Sequence, residues 1–251
     1  MKKWVIVSLC LVLLLSVSIS SAAASNEEQQ IRVLINTNNP IVKGGLKSKY
    51  GVRHDFKEQG FTTDVTPQAF EDIKKRKGED ITVSEVGTVH TMEINRIQGK
   101  VTIKGPSDPT PWGIEKIYNN SLITNTSGGS GITIAVLDTG VYRSHSDLTR
   151  RIISCRDFTN MKKPIVEDSC SDGNGHGTHV SGTILADGGV SGTGIWGVAP
   201  GAELWAYKVL NDRGSGYSDD IARAIDEAVK QSVLNSKKIN YLNVTRFKYK
   251  K

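Results

Sequence analysis

Cysteine, proline and aromatic residues are scarce in this chain. Its 251 residues include 3 Cys and 7 Pro, and 6% are aromatic; there is no internal repeat or low-complexity tract. So few cysteines exclude a disulfide-rich scaffold. A hydrophobic content of 37% with 23% charged residues is typical of a globular protein rather than a disordered or collagen-like one, and the length allows one or two domains.

Acidic residues are absent from the last 15 positions, which hold six of the 32 Lys and Arg residues. The other 236 positions hold 26 basic and 26 acidic residues, so the formal net charge of +6 belongs to this tail. A nucleic-acid-binding protein would carry its basic residues along a face or stripe of the fold. We therefore expect no nucleic-acid partner.

The N-terminus has the pattern of a secretory signal peptide. Lys2 and Lys3 precede an apolar run over residues 4–19, and three alanines at 22–24 follow it. The alternative is a membrane anchor, but the run is shorter than the roughly 20 apolar residues of a spanning helix, and the small-residue exit favours cleavage. We expect residues 1–24 to be removed and the remaining chain to be extracellular, with no membrane partner.

Cys10 lies inside this signal, so the mature chain keeps Cys155 and Cys170. In an oxidising compartment we expect the two to form one disulfide. Two unpaired thiols are the alternative.

Residues 31–89 are predicted to form a small α+β module. We expect strands over residues 31–35, 50–56, 60–65 and 81–89, and a helix over residues 67–77. Thr66 is suited to cap this helix because Pro67 follows at the first helical position. The proline-rich residues 105–111 predict a linker between domains.

Beyond the linker the pattern changes to α/β. Residues 132–137 are nearly all apolar, as in a parallel strand buried on both faces, and residues 204–210 form a second such run. Apolar residues then recur at helical spacing from Ile221 to Val229, with Ser218 as the expected cap. Alternating strands and helices predict a doubly wound, mostly parallel sheet.

Two motifs carry the chemistry. Asp138 follows the apolar strand directly, and the carboxyl ends of strands in open α/β sheets face the functional crevice. His176 lies 38 residues later among small residues, at the expected start of a helix. A histidine so placed is suited to general-base chemistry, with a carboxylate that orients it.

Two other interpretations of these motifs fit less well. Asp-Thr-Gly also occurs in aspartic proteases, where two carboxylates share a proton, but this chain has one copy and His176 would have no role. His176 and His179 are three residues apart, whereas zinc helices use His-Glu-x-x-His with a four-residue step.

The motifs Val-Leu-Asp138-Thr-Gly, His176-Gly-Thr-His-Val-Ser-Gly-Thr and Gly197-Val-Ala-Pro resemble those of the subtilisin-like serine proteases. Residues 31–89 are similar to the inhibitory pro-domain of that family. The resemblance runs from about residue 31 to 235. It implies a pro-domain at residues 25–105 and the N-terminal part of a catalytic domain at 106–251.

The resemblance also implies roles for single residues. Asp138 and His176 match the triad aspartate and histidine, and His179 matches a structural position. Residues Gly214, Ser215 and Gly216 match the strand that pairs with an extended substrate backbone. The expected partners are peptide substrates and the chain's own pro-domain.

A structural calcium ion is implied by Asp147, which matches a calcium ligand of many members, together with residues 187–195. Asp168 and Asp172 could bind another cation, although acidic loop residues are usually only solvated. No catalytic cofactor is expected.

The family's nucleophilic serine lies in a Gly-Thr-Ser-Met-Ala type of motif, and a separate Asn donates to the oxyanion. These 251 residues contain neither motif, and Ser130, Ser191 and Ser215 do not match. Residues 237–251 depart from the family where a strand leading to Ser-Leu-Gly is expected. Our hypothesis is a frameshift or premature stop; a genuine divergent C-terminus is the alternative.

We therefore expect a secreted endopeptidase precursor that is inactive in this form. Poor solubility is also expected, because the strand at residues 132–137 would lack neighbours in a shortened sheet. The rival hypothesis is a non-catalytic inhibitor or folding chaperone that acts on a sister protease through residues 31–89.

Overall fold

The computed structural model describes residues 29–76, 80–91, 109–234, 239–244 and 247–250. The predicted signal peptide and most of the predicted linker lie outside the described residues. Within the described ranges no helix combines the length and the apolar character needed to cross a bilayer.

The N-terminal unit is a four-stranded antiparallel sheet in the order β2-β3-β1-β4, with two helices. Its elements are β1 (Ile31–Thr37), α1 (Pro40–Tyr50), β2 (His54–Asp55), β3 (Phe61–Val65), α2 (Pro67–Lys74) and β4 (Ile81–Glu85). Alternate residues of a strand face opposite sides of its sheet. Val33 and Ile35 of β1 therefore join the core of this unit, which also includes Leu46 and Phe70 from the helices. Arg32 points to the other face.

In both helices of this unit a proline is the first helical residue, and the side chain of the residue before it caps the helix. The Thr66 side chain accepts from the Ala69 N–H ahead of α2, which confirms the predicted cap. Asn39 does the same for α1 by accepting from the N–H groups of Ile41 and Val42. Helix α2 ends at Lys74, three residues earlier than predicted.

The predicted strand at residues 50–56 is wrong. Tyr50 is instead the last residue of α1, and only His54 and Asp55 pair with β3. The Asn39-Pro40 pair is the same start signal that identified α2, but Gly44 and Gly45 interrupt the apolar pattern that follows it.

The predicted strand at residues 81–89 is divided in two. β4 ends at Glu85 and closes the N-terminal sheet, whereas β5 (Thr88–Thr91) belongs to a separate three-stranded sheet. In that sheet β5 pairs antiparallel with β10 (Ser215–Tyr217) on one side and β12 (Phe247–Lys250) on the other. The N-terminal unit thus ends in a strand that is held by the second half of the chain.

The second half is built on a five-stranded sheet. Besides β10 and β12, the elements of this half are α3 (Trp112–Tyr118), β6 (Thr133–Asp138), β7 (Ile152–Asp157), β8 (Val166–Glu167), α4 (His176–Leu185), β9 (Glu203–Lys208), α5 (Ser218–Leu234) and β11 (Ile239–Val244). The strand order is β11-β6-β9-β7-β8, and every pairing except that of β8 is parallel. This confirms the α/β class expected from the sequence.

Helices α4 and α5 pack on opposite faces of β6. Ile134 and Val136 lie in one apolar cluster with Leu185 of α4. Ala135 and Leu137 lie in another with Ala224 of α5. Every residue of β6 is buried, as the continuous apolar run predicts.

The expectation that this strand lacks neighbours is wrong. β9 pairs with one edge of β6 and β11 with the other, both in parallel register. The strand β11 comes from the tail that departs from the family pattern. Its Ile, Tyr and Val residues have high β-propensity, so the segment completes the sheet despite its unusual sequence.

Cys155 in β7 and Cys170 form a disulfide; their Cα atoms are 5.2 Å apart and their sequence separation is 15. Both residues are buried. The bond joins β7 of the parallel sheet to the segment that leads into α4. The Cys170 carbonyl also accepts from the Val141 N–H, just after β6, so the same segment is attached to the sheet at two points.

We expect Cys155→Ser to lower the free energy of unfolding by about 3 kcal/mol, because a loop of roughly 15 residues is then no longer closed in the unfolded chain. Urea unfolding followed by circular dichroism measures this. Reduction of the disulfide in the unsubstituted chain should lower the urea midpoint as much as the substitution does. Equal midpoints with and without reductant would contradict the prediction.

Candidate active site

Asp138 is the last residue of β6 and is fully buried. Its backbone carbonyl accepts from the N–H groups of Val209 and Leu210, just beyond β9. Two neighbouring parallel strands therefore fix this residue at the carboxyl edge of the sheet, where α/β proteins place functional groups.

His176 is the first residue of α4 and directs its ring towards Asp138. Its Nδ1 lies 2.8 Å from Oδ1 and 3.0 Å from Oδ2 of that carboxylate. The imidazole is 17% exposed and the carboxylate 1%. The structure thus brings together the two residues that the sequence motifs singled out.

Glycine is required where the two loops meet. A Cβ atom at Gly177 would collide with the backbone carbonyl of Gly140, and Gly140 itself has a φ of 108°. Since both glycines lie next to the motif residues, the small residues of the motifs allow the strand end and the helix start to approach closely.

Asp172 and Thr139 join the two loops. The Thr139 hydroxyl donates to Asp172 Oδ1 at 2.8 Å and accepts from the Gly177 N–H at 2.9 Å. Asp172 also accepts from the N–H groups of Gly175 and Thr178 at 2.8 and 2.9 Å. It therefore caps the N-terminus of α4, where a negative charge is favourable.

These contacts perturb the titration of Asp172. Burial by itself would raise the pKa of its carboxyl, but the hydrogen bonds from Thr178, Gly175 and Thr139 outweigh burial and hold the pKa below its ordinary value. The carboxylate form is thus bound into the fold.

The Asp138–His176 geometry defines what the imidazole can do. A neutral ring that donates its Nδ1–H to the carboxylate keeps a lone pair on Nε2, which is then the basic nitrogen. When Nε2 takes up a proton, the buried carboxylate stabilises the imidazolium. The arrangement is suited to general-base catalysis.

The residues predicted to bind substrate lie on the edge of β10. Residues 215–217 pair with β5, and the Thr91 N–H donates to the Gly214 carbonyl at 2.7 Å. Gly214 has a φ of 74°, and a Cβ at Gly216 would collide with the Val209 carbonyl. A backbone segment of the N-terminal unit thus occupies the edge at which an extended peptide was expected.

The serines in glycine-rich settings are engaged elsewhere or lie in turns. Ser215 Oγ is 2.7 Å from His90 Nδ1, and Ser191 Oγ is 2.7 Å from Thr193 Oγ1. Ser130 lies in the turn before β6. His179 is exposed on α4.

The expected calcium ligands do not fit such an ion as they are arranged. Asp147 is buried and faces the loop of residues 187–195, but its carboxylate accepts from the Ile195 N–H and the Ser146 hydroxyl. Asp187 is bound by the guanidinium groups of Arg150 and Arg151. Calcium needs six to eight oxygen ligands, whereas here the arginines supply the positive charge. Asp168 is exposed.

Within the described ranges, one set of three potential metal ligands lies close together, at His54, Asp219 and Asp220. The guanidinium groups of Arg32 and Arg53 already bind Asp220. Two cations at this carboxylate make a metal ion unfavourable there.

Sequence reasoning missed Lys208 and gave Asp172 a different role. Lys208 ends β9, and its Nζ donates to the Thr139 carbonyl at 2.6 Å and to Asp212 at 2.7 Å. Its position at the carboxyl end of the strand next to β6 is the sequence signal that points to it. Asp172 was considered as a cation ligand and instead caps α4.

A buried Asp–His pair at the carboxyl edge of a parallel sheet is typical of α/β proteins in which an oriented histidine serves as a base. Comparison with known proteins specifies the family. Residues 129–238 match the model described as the subtilase family, and they include both members of the pair. This part of the chain is a subtilisin-like region of that family.

Among curated proteins, a subtilisin from Bacillus sp. (strain TA39) is 47% identical over 211 residues, which is 83% of this chain and 49% of that protein. The major intracellular serine protease of Bacillus subtilis (strain 168) is 45% identical over 124 residues, 49% of this chain and 38% of that protein. The chain spans about half the length of the first of these relatives, and less of the second.

Among solved structures, one titled sphericase is 55% identical and superimposes with a TM-score of 0.53, covering 56% of this chain and 44% of that one. Fervidolysin from Fervidobacterium pennivorans is 20% identical with a TM-score of 0.58, covering 88% of this chain and 36% of its own. At that identity the second likeness concerns the fold alone.

We expect Asp172→Asn to lower the free energy of unfolding at pH 7 by about 1–3 kcal/mol, because hydrogen bonds to a charged acceptor become neutral ones. The folded pKa of Asp172 is depressed, so its stabilisation is complete above the ordinary carboxyl pKa and is lost as the pH falls through the folded value. Urea midpoints at several pH values, compared with the unsubstituted chain, measure the difference.

Asp168→Asn is the matched control, since Asp168 is exposed in the same segment. Its midpoints should follow those of the unsubstituted chain at every pH. A difference for Asp172→Asn that did not shrink in acid would contradict the prediction.

Proposed function

We propose that this chain is part of the precursor of a secreted subtilisin-like serine endopeptidase, in which Asp138 and His176 are two members of an Asp-His-Ser triad. The observation that carries the proposal is the 2.8 Å contact between Nδ1 of His176 and the buried carboxylate. The doubly wound sheet and the pro-domain of the sequence hypothesis belong to the same proposal.

In this mechanism Asp138 holds the imidazole in the tautomer with a free Nε2. That nitrogen removes the proton of a serine hydroxyl as the hydroxyl attacks the peptide carbonyl, and later returns it to the leaving amine. Because residues 1–251 contain no matching serine or oxyanion motif, both must come from residues outside them. The 251-residue chain by itself is then inactive.

Residues 25–105 act as the inhibitory pro-domain in this proposal. The pairing of β5 with β10 supports that role, since an inhibitor of this kind binds by adding a strand. His90 reinforces the pairing by its contact with Ser215. Peptide substrates would compete for the same edge at Gly214, Ser215 and Gly216.

Secretion after removal of residues 1–24 remains part of the proposal. The disulfide between Cys155 and Cys170 supports it, because such bonds persist mainly in oxidising compartments. Neither a nucleic acid nor, after cleavage, a membrane is a proposed partner. No step of the mechanism depends on calcium or on another cofactor.

The roles of Asp138 and His176 can be tested in a chimera. Residues 1–238 of this chain would be fused to the C-terminal part of the Bacillus sp. TA39 subtilisin, namely the residues that follow the matched region. We expect it to hydrolyse a peptide substrate, with kcat reduced about 10⁴-fold by Asp138→Asn and about 10⁶-fold by His176→Ala.

His179→Ala is the matched control on the same helix and should retain activity within about tenfold, since the His179 side chain is exposed. The unextended chain should not react with a serine-directed fluorophosphonate. Labelling of that chain, or a folded chimera that stays active without His176, would overturn the proposal.

The alternative function, a non-catalytic inhibitor of a sister protease, is favoured by the β5–β10 pairing alone. The full 251-residue chain added to an active subtilisin-like enzyme distinguishes the two. Gly214→Val should loosen the internal pairing with β10 and free β5. Stronger inhibition by this variant than by the unsubstituted chain would support the alternative. Absence of inhibition at micromolar concentration in both forms would exclude it.

A further inference from the structure

The first turn of α5 carries two adjacent acidic residues that the N-terminal unit covers. Asp219 and Asp220 are 5% and 2% exposed. They lie beneath the face of the four-stranded sheet opposite its helices. The contact between the two halves of the chain is therefore ionic at its centre.

Asp220 is saturated with donors from the N-terminal unit. Arg53 donates from Nε and Nη2 at 3.0 and 2.9 Å, and Arg32 donates from Nη1 at 3.0 Å. His54 Nε2 lies 2.7 Å away. Arg53 also donates to the carbonyls of Phe158 and Asn160, so it anchors the unit to two segments of the second half.

Asp219 is different. Within the described part of the chain neither of its oxygens has a hydrogen-bond donor, and its nearest cation is Arg32 Nη1 at 3.6 Å. It lines a cavity of about 310 Å³ between the sheet and α5, together with Thr62. The Thr62 hydroxyl has no other partner, and with Arg32 it favours the charged form of Asp219. A buried carboxylate in this position is costly unless it is neutralised.

The charges around Asp219 do not balance without a proton. Its ionisable and charged neighbours on the packed elements are Arg32 on β1, Arg53 before β2, His54 on β2, Asp64 on β3, Glu85 on β4, Tyr217 on β10 and Asp220 on α5. Glu85 is exposed to solvent. Two guanidinium groups then face three carboxylates, and a single proton makes the cluster neutral.

We propose that the Asp219–Asp220 pair is a proton-linked docking surface for the arginine-bearing face of the N-terminal unit, with Asp220 binding Arg32, Arg53 and His54 while Asp219 takes up one proton as the surfaces close. The partner is thus defined by its chemistry: two arginines and a histidine presented by a β-sheet.

The direction of the linkage follows from burial. Desolvation, and next the negative charge of Asp220, raise the pKa of Asp219 in the docked state and outweigh the opposing effects of Arg32, Thr62 and His54. In the undocked state the same carboxyl lies in the first turn of a solvated helix, where the helix dipole favours the charged form. The docked state binds more protons, so docking is strongest below the ordinary carboxyl pKa and weakens as the pH rises through the raised one.

This inference rests on the proposed function for its biological consequence. Where residues 29–91 are the inhibitory unit, rising pH frees the edge of β10 by weakening the contact at α5. The linkage itself is a property of the docking contact, however, and does not require peptidase activity.

Hydrogen exchange of the full chain tests the proposal. The amides of Thr91 and Ser218 donate to Gly214 and Gly87 across the two halves, whereas the Arg53 amide donates to Thr62 within the unit. We expect the protection factors of the first two, corrected for intrinsic exchange, to fall by up to about tenfold per pH unit above pH ~4 until the raised pKa is reached. Protection of the Arg53 amide should stay unchanged.

Asp219→Asn mimics the protonated side chain and should remove this pH dependence while docking persists. Asp226→Asn, at an exposed position of the same helix, should keep it. The proposal is overturned if the protection factors of the Thr91 and Ser218 amides depend on pH as strongly in Asp219→Asn as in the unsubstituted chain. It is also overturned if His54→Gln abolishes this pH dependence and Asp219→Asn does not.

A second measurement covers the case in which Asp219→Asn does not fold. The ¹³C signal of the Asp219 carboxyl, followed through a pH titration of the unsubstituted chain, should show a midpoint above the ordinary value of about 3.9. A midpoint at or below that value would refute the proposal. Neither measurement uses activity, so failure of the proposed function leaves both interpretable.

Discussion

Strand β6 is the constraint on which the second half of the chain depends. Its six residues are all buried, with helices on both faces and parallel strands on both edges, so it cannot slide without exposing apolar side chains or breaking its hydrogen bonds. Asp138 is its last residue and inherits that rigidity. Because the strand holds this carboxylate in place, the carboxylate orients the ring of His176.

The loop that carries His176 is held by a second set of contacts. Asp172 binds the start of α4 and the Thr139 hydroxyl, while Lys208 binds the Thr139 carbonyl. The disulfide at Cys170 tethers the same segment to β7. These groups lie around the Asp–His pair and hold the two loops in register, which is the preorganisation that proton transfer requires.

Ionic and backbone contacts join the N-terminal unit to this region at two places. Strand β5 lies on β10 beside the candidate site, and the arginines of the unit meet Asp220 at the start of α5. The first contact resembles the binding of a peptide and the second is a dense charge cluster. The N-terminal unit therefore covers the edge of β10 and is held at a second, separate surface.

Local signals in the sequence determined the residues of the candidate pair, the α/β class, the cap of α2 and the buried character of β6, because each depends on neighbours in the chain. Tertiary structure decided the rest. Residues 81–91 became two strands since their partners, β1 and β10, lie in different halves of the chain, and residues 239–244 joined the sheet because β6 had an open edge. Asp172, Lys208 and Asp219 acquired their surroundings from segments distant in sequence, which no local pattern records.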